Sequence, residues 1–225
     1  MVQREICYLS TIINTPTSFN YQLSTTKVHI KTFYFNPYRE CTYVADNGQG
    51  QCIIVDPGMY GDREEQRMAD YLQTNNLLPL AILITHTHPD HVCGLSFFST
   101  HYPALPVYGT NFEQGLPIYN REQANNELDK NNVFQRNHFP IPYQIPTPGH
   151  KEDCLCFYFP KEGILFSGDT LFQESVGRTD LEGGDTDTLL RSLQTLMQLP
   201  EATKVYPGHA YPTTIGHEKL YNPYI

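Results

Sequence analysis

Leu80-Ala81-Ile82-Leu83-Ile84-Thr85 runs without a break into His86-Thr87-His88-Pro89-Asp90-His91. The run 80–85 is bounded by Pro79 and a polar loop, the pattern of a strand buried on both faces. His86 and His88 are two apart in extended chain, so both imidazoles project to one side. Pro89 turns the chain, and Asp90 and His91 return from the start of a helix. Imidazole together with carboxylate suits Zn, Fe or Mn better than Mg or Ca. Chance assembles His-x-His-x-Asp-His in about one such sequence in a thousand, so a loop of unconnected polar residues is the weaker reading.

One such cluster cannot complete two metal sites, and three further donors stand at the ends of predicted strands. His150 closes Thr147-Pro148-Gly149-His150, Asp169 closes Ser167-Gly168-Asp169, and His209 closes Tyr206-Pro207-Gly208-His209. A glycine before each lets the backbone turn tightly enough to bring a side chain into a crowded site. Asp56, in Val55-Asp56-Pro57-Gly58, ends another strand; it either supports a ligand histidine or caps its own turn. The other histidines, His29, His101, His138 and His217, have no partner spacing and read as surface or packed side chains.

Outward from these motifs, the chain divides into two similar halves. Short β-rich runs at 28–35, 41–46 and 51–57 precede a helix over 62–76, the strand 80–85 and a second helix from Asp90. Asn47-Gly48 and Gly50 make a hairpin of the second and third runs. The later half repeats the order, with a strand pair at 154–159 and 163–169, a helix over 185–198, a strand at 204–206 and a final helix over 212–220. The reading is an α/β fold, two sheets packed together with helices outside. Residues 1–26 read as a poorly ordered extension and 27–225 as one domain. The stretch 110–137 reads as a surface excursion or lid, in which Tyr119 is a candidate for the substrate mouth.

The 225 residues carry 15 Lys+Arg against 24 Asp+Glu, a net charge of −9, and this argues against a nucleic-acid partner. No run approaches the ~20 apolar residues of a membrane helix, and no signal peptide is evident, so the expected location is cytoplasmic. The six cysteines fit reduced, buried thiols.

The series THTHPDH (85–91), TPGH (147–150), SGDTLF (167–172) and PGH (207–209) resembles the metallo-β-lactamase-fold hydrolases. Gly177-Arg178-Thr179-Asp180-Leu181, ending Gly183-Gly184-Asp185, is similar to the glyoxalase II-like hydroxyacylglutathione hydrolases, especially their short forms. The resemblance implies a four-layer αβ/βα sandwich with two mixed sheets face to face and a two-metal site at one edge. It implies His86, His88 and His150 on the first metal, Asp90, His91 and His209 on the second, and Asp169 on both. The expected cofactors are two divalent ions, Zn first, with Fe or Mn suited to the same donors. The implied reaction is attack of a metal-bridging hydroxide on a thioester such as S-2-hydroxyacylglutathione, with Asp90 orienting the hydroxide. Arg178 falls where longer relatives meet the glutathione carboxylate; the competing reading pairs it with Asp180 or Asp185. The chain departs from the family pattern in Lys151-Glu152-Asp153 after TPGH and in Thr179-Asp180 after Arg178. A mononuclear iron oxidoreductase resembling the persulfide dioxygenases, built on His86, His88, His150 and Asp169, is the alternative on the same scaffold.

Overall fold

Along Glu40–Asp46 (β2), Tyr43 and Ala45 join one buried cluster while Val44 joins another. The division continues in Gln51–Val55 (β3), where Ile53 and Val55 face one way and Cys52 and Ile54 the other. In Leu78–Leu83 (β4), Ala81 and Leu83 oppose Ile82. A period of two with apolar residues on both sides means a sheet covered on both faces. The computed structural model describes residues 27–112, 116–119 and 133–225. The extension expected over 1–26 and most of the asparagine-rich excursion lie outside the described residues.

His29–Phe35 (β1) and Val107–Tyr108 (β5) complete the first sheet, in the order β1-β2-β3-β4-β5. β1, β2 and β3 are antiparallel neighbours, and β4 lies parallel to β3 after a crossover through the helix Asp62–Thr74 (α1). Asp62, Glu64 and Glu65 occupy the first turn of α1, where the helix dipole favours acids, and Met68 and Leu72 are buried. The helix expected from Asp90 is broken into Pro89–Val92 (α2) and Leu95–His101 (α3). Gly94 sits at the break because a β-carbon there would come within 2.7 Å of the Pro57 carbonyl and the Met59 side chain.

A short helix, Val133–Arg136 (α4), leads into the second sheet. That sheet comprises Tyr143–Pro146 (β6), Leu155–Phe159 (β7), Ile164–Gly168 (β8), Lys204–Pro207 (β11) and Thr213–Thr214 (β12), in the order β12-β11-β8-β7-β6. A small hairpin, Leu171–Phe172 (β9) with Ser175–Val176 (β10), follows β8. β11 is parallel to β8 after a crossover through the helix Thr186–Leu196 (α5), whose N-terminus is capped by Asp185 accepting from the Thr188 N–H at 2.7 Å. Such a cap contributes about 1 kcal/mol. The final helix, Ile215–Tyr221 (α6), starts later than expected because Thr213 and Thr214 pair with β11 first.

Phe157, Phe159 and Phe166 of the second sheet meet Tyr43, Ile53, Val55 and Leu83 of the first in one shared cluster. On the outer face of the first sheet, α1 and α3 bury Met68, Leu72, Phe97 and Phe98; on that of the second, α5 buries Leu189, Leu193 and Leu196. Four layers result, helices–sheet–sheet–helices, as the αβ/βα sandwich requires. Among the described residues no helix is long and apolar enough to cross a membrane. Their five cysteines are free thiols, four of them buried.

Candidate metal centre

Parallel pairing places the carboxyl ends of neighbouring strands on one edge, and here it does so twice. β3 and β4 deliver Asp56 and the 85–91 loop; β8 and β11 deliver Asp169 and His209. β7 runs the other way, so the residues before it, His150 to Cys154, arrive at the same edge. The sheets are tied there by Cys41 N–H to the Gly208 carbonyl at 2.7 Å, Leu155 N–H to the Thr85 carbonyl at 2.8 Å, and Tyr43 Oη to the Pro207 carbonyl at 2.5 Å.

The seven sequence-predicted donors are brought together. His86, His88 and His150 form one group; Asp90, His91 and His209 form another; His86, His91 and Asp169 form a third that overlaps both. Asp169 lies between the trios: Oδ2 is 3.6 Å from His150 Nε2 and 3.5 Å from His209 Nε2, and Oδ1 is 3.5 Å from His91 Nε2. Asp90 Oδ2 is 3.3 Å from His209 Nε2 and 3.9 Å from His91 Nε2.

Outer partners decide which nitrogen of each ring faces inward. The Arg178 carbonyl, 2.7 Å from His150 Nδ1, can only accept, so Nδ1 carries the proton and Nε2 presents a lone pair. Asp56 fixes two rings in the same way. Its Oδ2 accepts from His91 Nδ1 at 3.0 Å and from the Thr85 hydroxyl at 2.6 Å, and that hydroxyl accepts in turn from His86 Nδ1 at 3.1 Å. Asp56 Oδ1 takes the Thr85 N–H at 2.7 Å. These bonds hold Asp56 in the left-handed region, φ 47°, which non-glycine residues adopt at a cost. Of the two readings of Asp56, the geometry favours support of a ligand ring.

His88 Nδ1 therefore faces two lone pairs, 3.0 Å from His86 Nε2 and 2.9 Å from His150 Nε2, and one N–H cannot satisfy both at once. Inside the third group, His91 Nε2 and Asp169 Oδ1 are buried with no hydrogen-bond partner. Each such orphan costs roughly 1–3 kcal/mol. Converging lone pairs and buried carboxylate oxygens with too few donors to match them are what a pair of cations needs, so the donor set fits two metal ions.

The electrostatics differ between the trios. Burial, then the neighbouring His91, His150 and His88 rings, holds His86 well below the usual histidine range; burial and His150 lower His88 as well. Both shifts favour the neutral ring, the form that can offer a lone pair to a cation. Burial also pulls on His91, but the Asp169, Asp56 and Asp90 carboxylates outweigh it and raise it to about 9. His209 is raised against its burial by Asp90 and Asp169, and Asp90 is lowered against its burial by His209 and His91. The carboxylates thus make the second group the more acidic half, where positive charge is favoured.

Behind Asp56 stands a residue the motifs did not indicate. Glu40 is fully buried, and burial with the nearby Asp56 charge raises its carboxyl well above the carboxylate range. Thr42 Oγ1 lies 2.8 Å from Glu40 Oε2 and donates to the Asp56 carbonyl at 2.7 Å, so the neutral Glu40 carboxyl completes the chain of donors. Replacing Asp56 by alanine strands the Thr85 N–H and releases the His86 and His91 rings. The expected result is a ~10–100-fold loss of metal affinity, checked by chelator competition.

The two predicted substrate-contact residues lie outside the donor cluster. The Arg178 guanidinium is solvent-exposed and forked on Asp180, with Nε to Oδ1 and Nη2 to Oδ2 both at 2.7 Å. Its inward contribution is the backbone carbonyl on His150, which no reading of side chains reveals. Tyr119 packs edge-on against Tyr158 at 4.9 Å, in the cluster under α5, instead of among the donors; the lone pairing of Ile118 with Gln144 draws it to the outer face of the second sheet.

Residues 38–209 match the family model of the metallo-β-lactamase superfamily. A probable metallo-hydrolase of Streptococcus pyogenes is 35% identical over 202 residues, 82% of this chain and 85% of that protein. A hydroxyacylglutathione hydrolase of Pectobacterium atrosepticum is 35% identical over 170 residues, 75% of this chain and 61% of the relative. The crystal structure of the BLEG-1 B3 metallo-β-lactamase superposes with a TM-score of 0.72 at 31% identity, covering 87% of this chain and 99% of that one. That of TTHA1623 in a di-iron-bound form superposes with 0.68 at 31% identity, covering 87% and 100%. A family match over most of the chain, and these relatives, agree with the four layers and the seven converging donors: the chain belongs to the metallo-β-lactamase superfamily.

Proposed function

We propose that the chain is a binuclear metal-dependent thioester hydrolase, glyoxalase II-like, acting on S-2-hydroxyacylglutathione or a related small thioester. The observation that carries this reading is Asp169, within 3.6 Å of a histidine nitrogen from each trio. The Pectobacterium relative's name supports the substrate class. His86, His88 and His150 would hold one ion, Asp90, His91 and His209 the other, and Asp169 both. Zinc is the proposed occupant; the di-iron form of TTHA1623 makes iron the comparison metal.

Such ions, when bound, acidify water toward neutral pH and draw charge from a carbonyl oxygen. The protein supplies the rest. Asp56, Thr85 and the Arg178 carbonyl hold three rings in fixed orientation, so no reorganisation is needed as charge develops. Asp90, beside His209, is a carboxylate that would orient the attacking water besides holding its ion. A thiol leaves as thiolate with little protonation, since its pKa is near 8.5. Arg178 is the exposed cation at which a substrate carboxylate would compete with Asp180. The free thiols suit a reducing compartment such as the cytoplasm.

The second trio has no role in the mononuclear alternative, and it is fully formed. The likeness to BLEG-1 makes β-lactams the competing substrates. The test is a panel of S-lactoylglutathione, other acyl thioesters and a β-lactam, offered to protein loaded with Zn(II) or Fe(II). Thioester turnover is expected; β-lactam turnover with none on any thioester overturns the proposal.

A further inference from the structure

The stretch Lys151-Glu152-Asp153, where the chain leaves its family's pattern, closes on the loop that carries His86 and His88. Asp153 is only 5% exposed. Its Oδ2 accepts the Thr87 N–H at 3.1 Å, the Thr87 hydroxyl at 2.5 Å and the Asn111 amide at 3.3 Å. Lys151 Nζ donates to the same Thr87 hydroxyl at 2.8 Å and lies 3.1 Å from Asp153 Oδ1. Thr87 is thus held at both its backbone and its side chain by one ion pair, its carboxylate buried and its ammonium partly exposed. Charge-assisted bonds of this kind are shorter and stronger than neutral ones.

Thr87 separates His86 from His88, and Asp153 follows His150 by three residues. We propose that Lys151 and Asp153 are positioning residues for the first trio, fixing the separation of its three inward nitrogens. The proposal rests on the reading that this trio holds a cation. A carboxylate that ties the 85–88 loop to the 150–154 loop sets the registry of His86 and His88 against His150. This carboxylate bonds to Thr87, Asn111 and Lys151 and, among the described residues, not to Asp90, His91 or His209. Its influence is therefore one-sided. A pair that merely fastened two loops would instead affect both metal positions together.

The experiment measures the two stepwise dissociation constants of the full chain for Zn(II) by chelator competition, and the absorption spectrum of the Co(II)-loaded protein. His88→Ala and His209→Ala mark which step belongs to which trio. Asp153→Ala and Thr87→Val are expected to weaken the first-trio step ~10–100-fold, to change its Co(II) bands, and to leave the second step unchanged. Thr87→Ser keeps both donors and is expected to restore wild-type affinity and spectrum. Unchanged constants in Asp153→Ala overturn the proposal. So do two equally weakened constants with a lowered metal-free melting temperature. Wild-type protein that takes up neither Zn(II) nor Co(II) overturns the underlying reading itself, a result the variants alone would not produce.

Discussion

Alanine at position 169 is expected to cut thioester turnover on the order of 10³-fold or more, about 4 kcal/mol of transition-state stabilisation. It is also expected to reduce the bound metal from two equivalents to one or none. Asp169 is the carboxylate set between both trios, with Oδ2 shared between His150 and His209 and Oδ1 turned to His91. Its removal leaves each trio incomplete and lets the two positions lose their common anchor. Asp169→Asn tests charge against shape: the amide fits the space but offers one neutral acceptor where there were two anionic ones, so its loss should be intermediate. Metal analysis beside kcat/KM checks both variants. Two retained equivalents with turnover within tenfold of wild type would refute the bridging role.

A single methyl at Gly208 should do nearly as much damage. A β-carbon there would stand 2.2 Å from Asp169 Oδ1 and 2.6 Å from His91 Cε1, far inside contact distance. The backbone at 208 is not left-handed, so the penalty is steric and falls on the donors themselves. Overpacking of this kind costs about 1–3 kcal/mol of stability. Displacing two donors by a fraction of an ångström should cost on the order of 10²-fold in turnover. Gly163→Ala is the control: φ is 63° with nothing within 4 Å of the added carbon, so it should lose roughly 1–2 kcal/mol to backbone strain and no activity. Thermal melts and kcat/KM of both variants separate the two mechanisms. Wild-type metal content and turnover in Gly208→Ala would contradict the packing derived for the site.

Much of this was legible because burial and chemistry leave marks on residue type. The run 80–85 had to be a strand covered on both faces, and the donors had to follow strand ends, where side chains from separate segments converge. The helices 62–76 and 185–198 showed their apolar faces and appear as Asp62–Thr74 and Thr186–Leu196. What stayed hidden depends on partners distant in sequence. The hairpin of Leu171–Phe172 and Ser175–Val176 is too short to show a period. Glu40 and Asp153 look like ordinary surface acids until folding buries them. The Arg178 carbonyl acts through the backbone, which every residue possesses, so its bond to His150 leaves no mark on residue type. Tyr119 was singled out by the composition of its stretch, and its ring packs edge-on against Tyr143 and Tyr158, partners distant in sequence.

Each trio borrows from both halves of the chain: His86 and His88 precede the midpoint and His150 follows it, as Asp90 and His91 precede and His209 follows. Any ion seated here is therefore a suture between two sheets as well as a reagent. Loading at a thousand times the dissociation constant adds about 4 kcal/mol to the docked state. Catalytic competence and mechanical integrity in this molecule are drawn tight by the same thread.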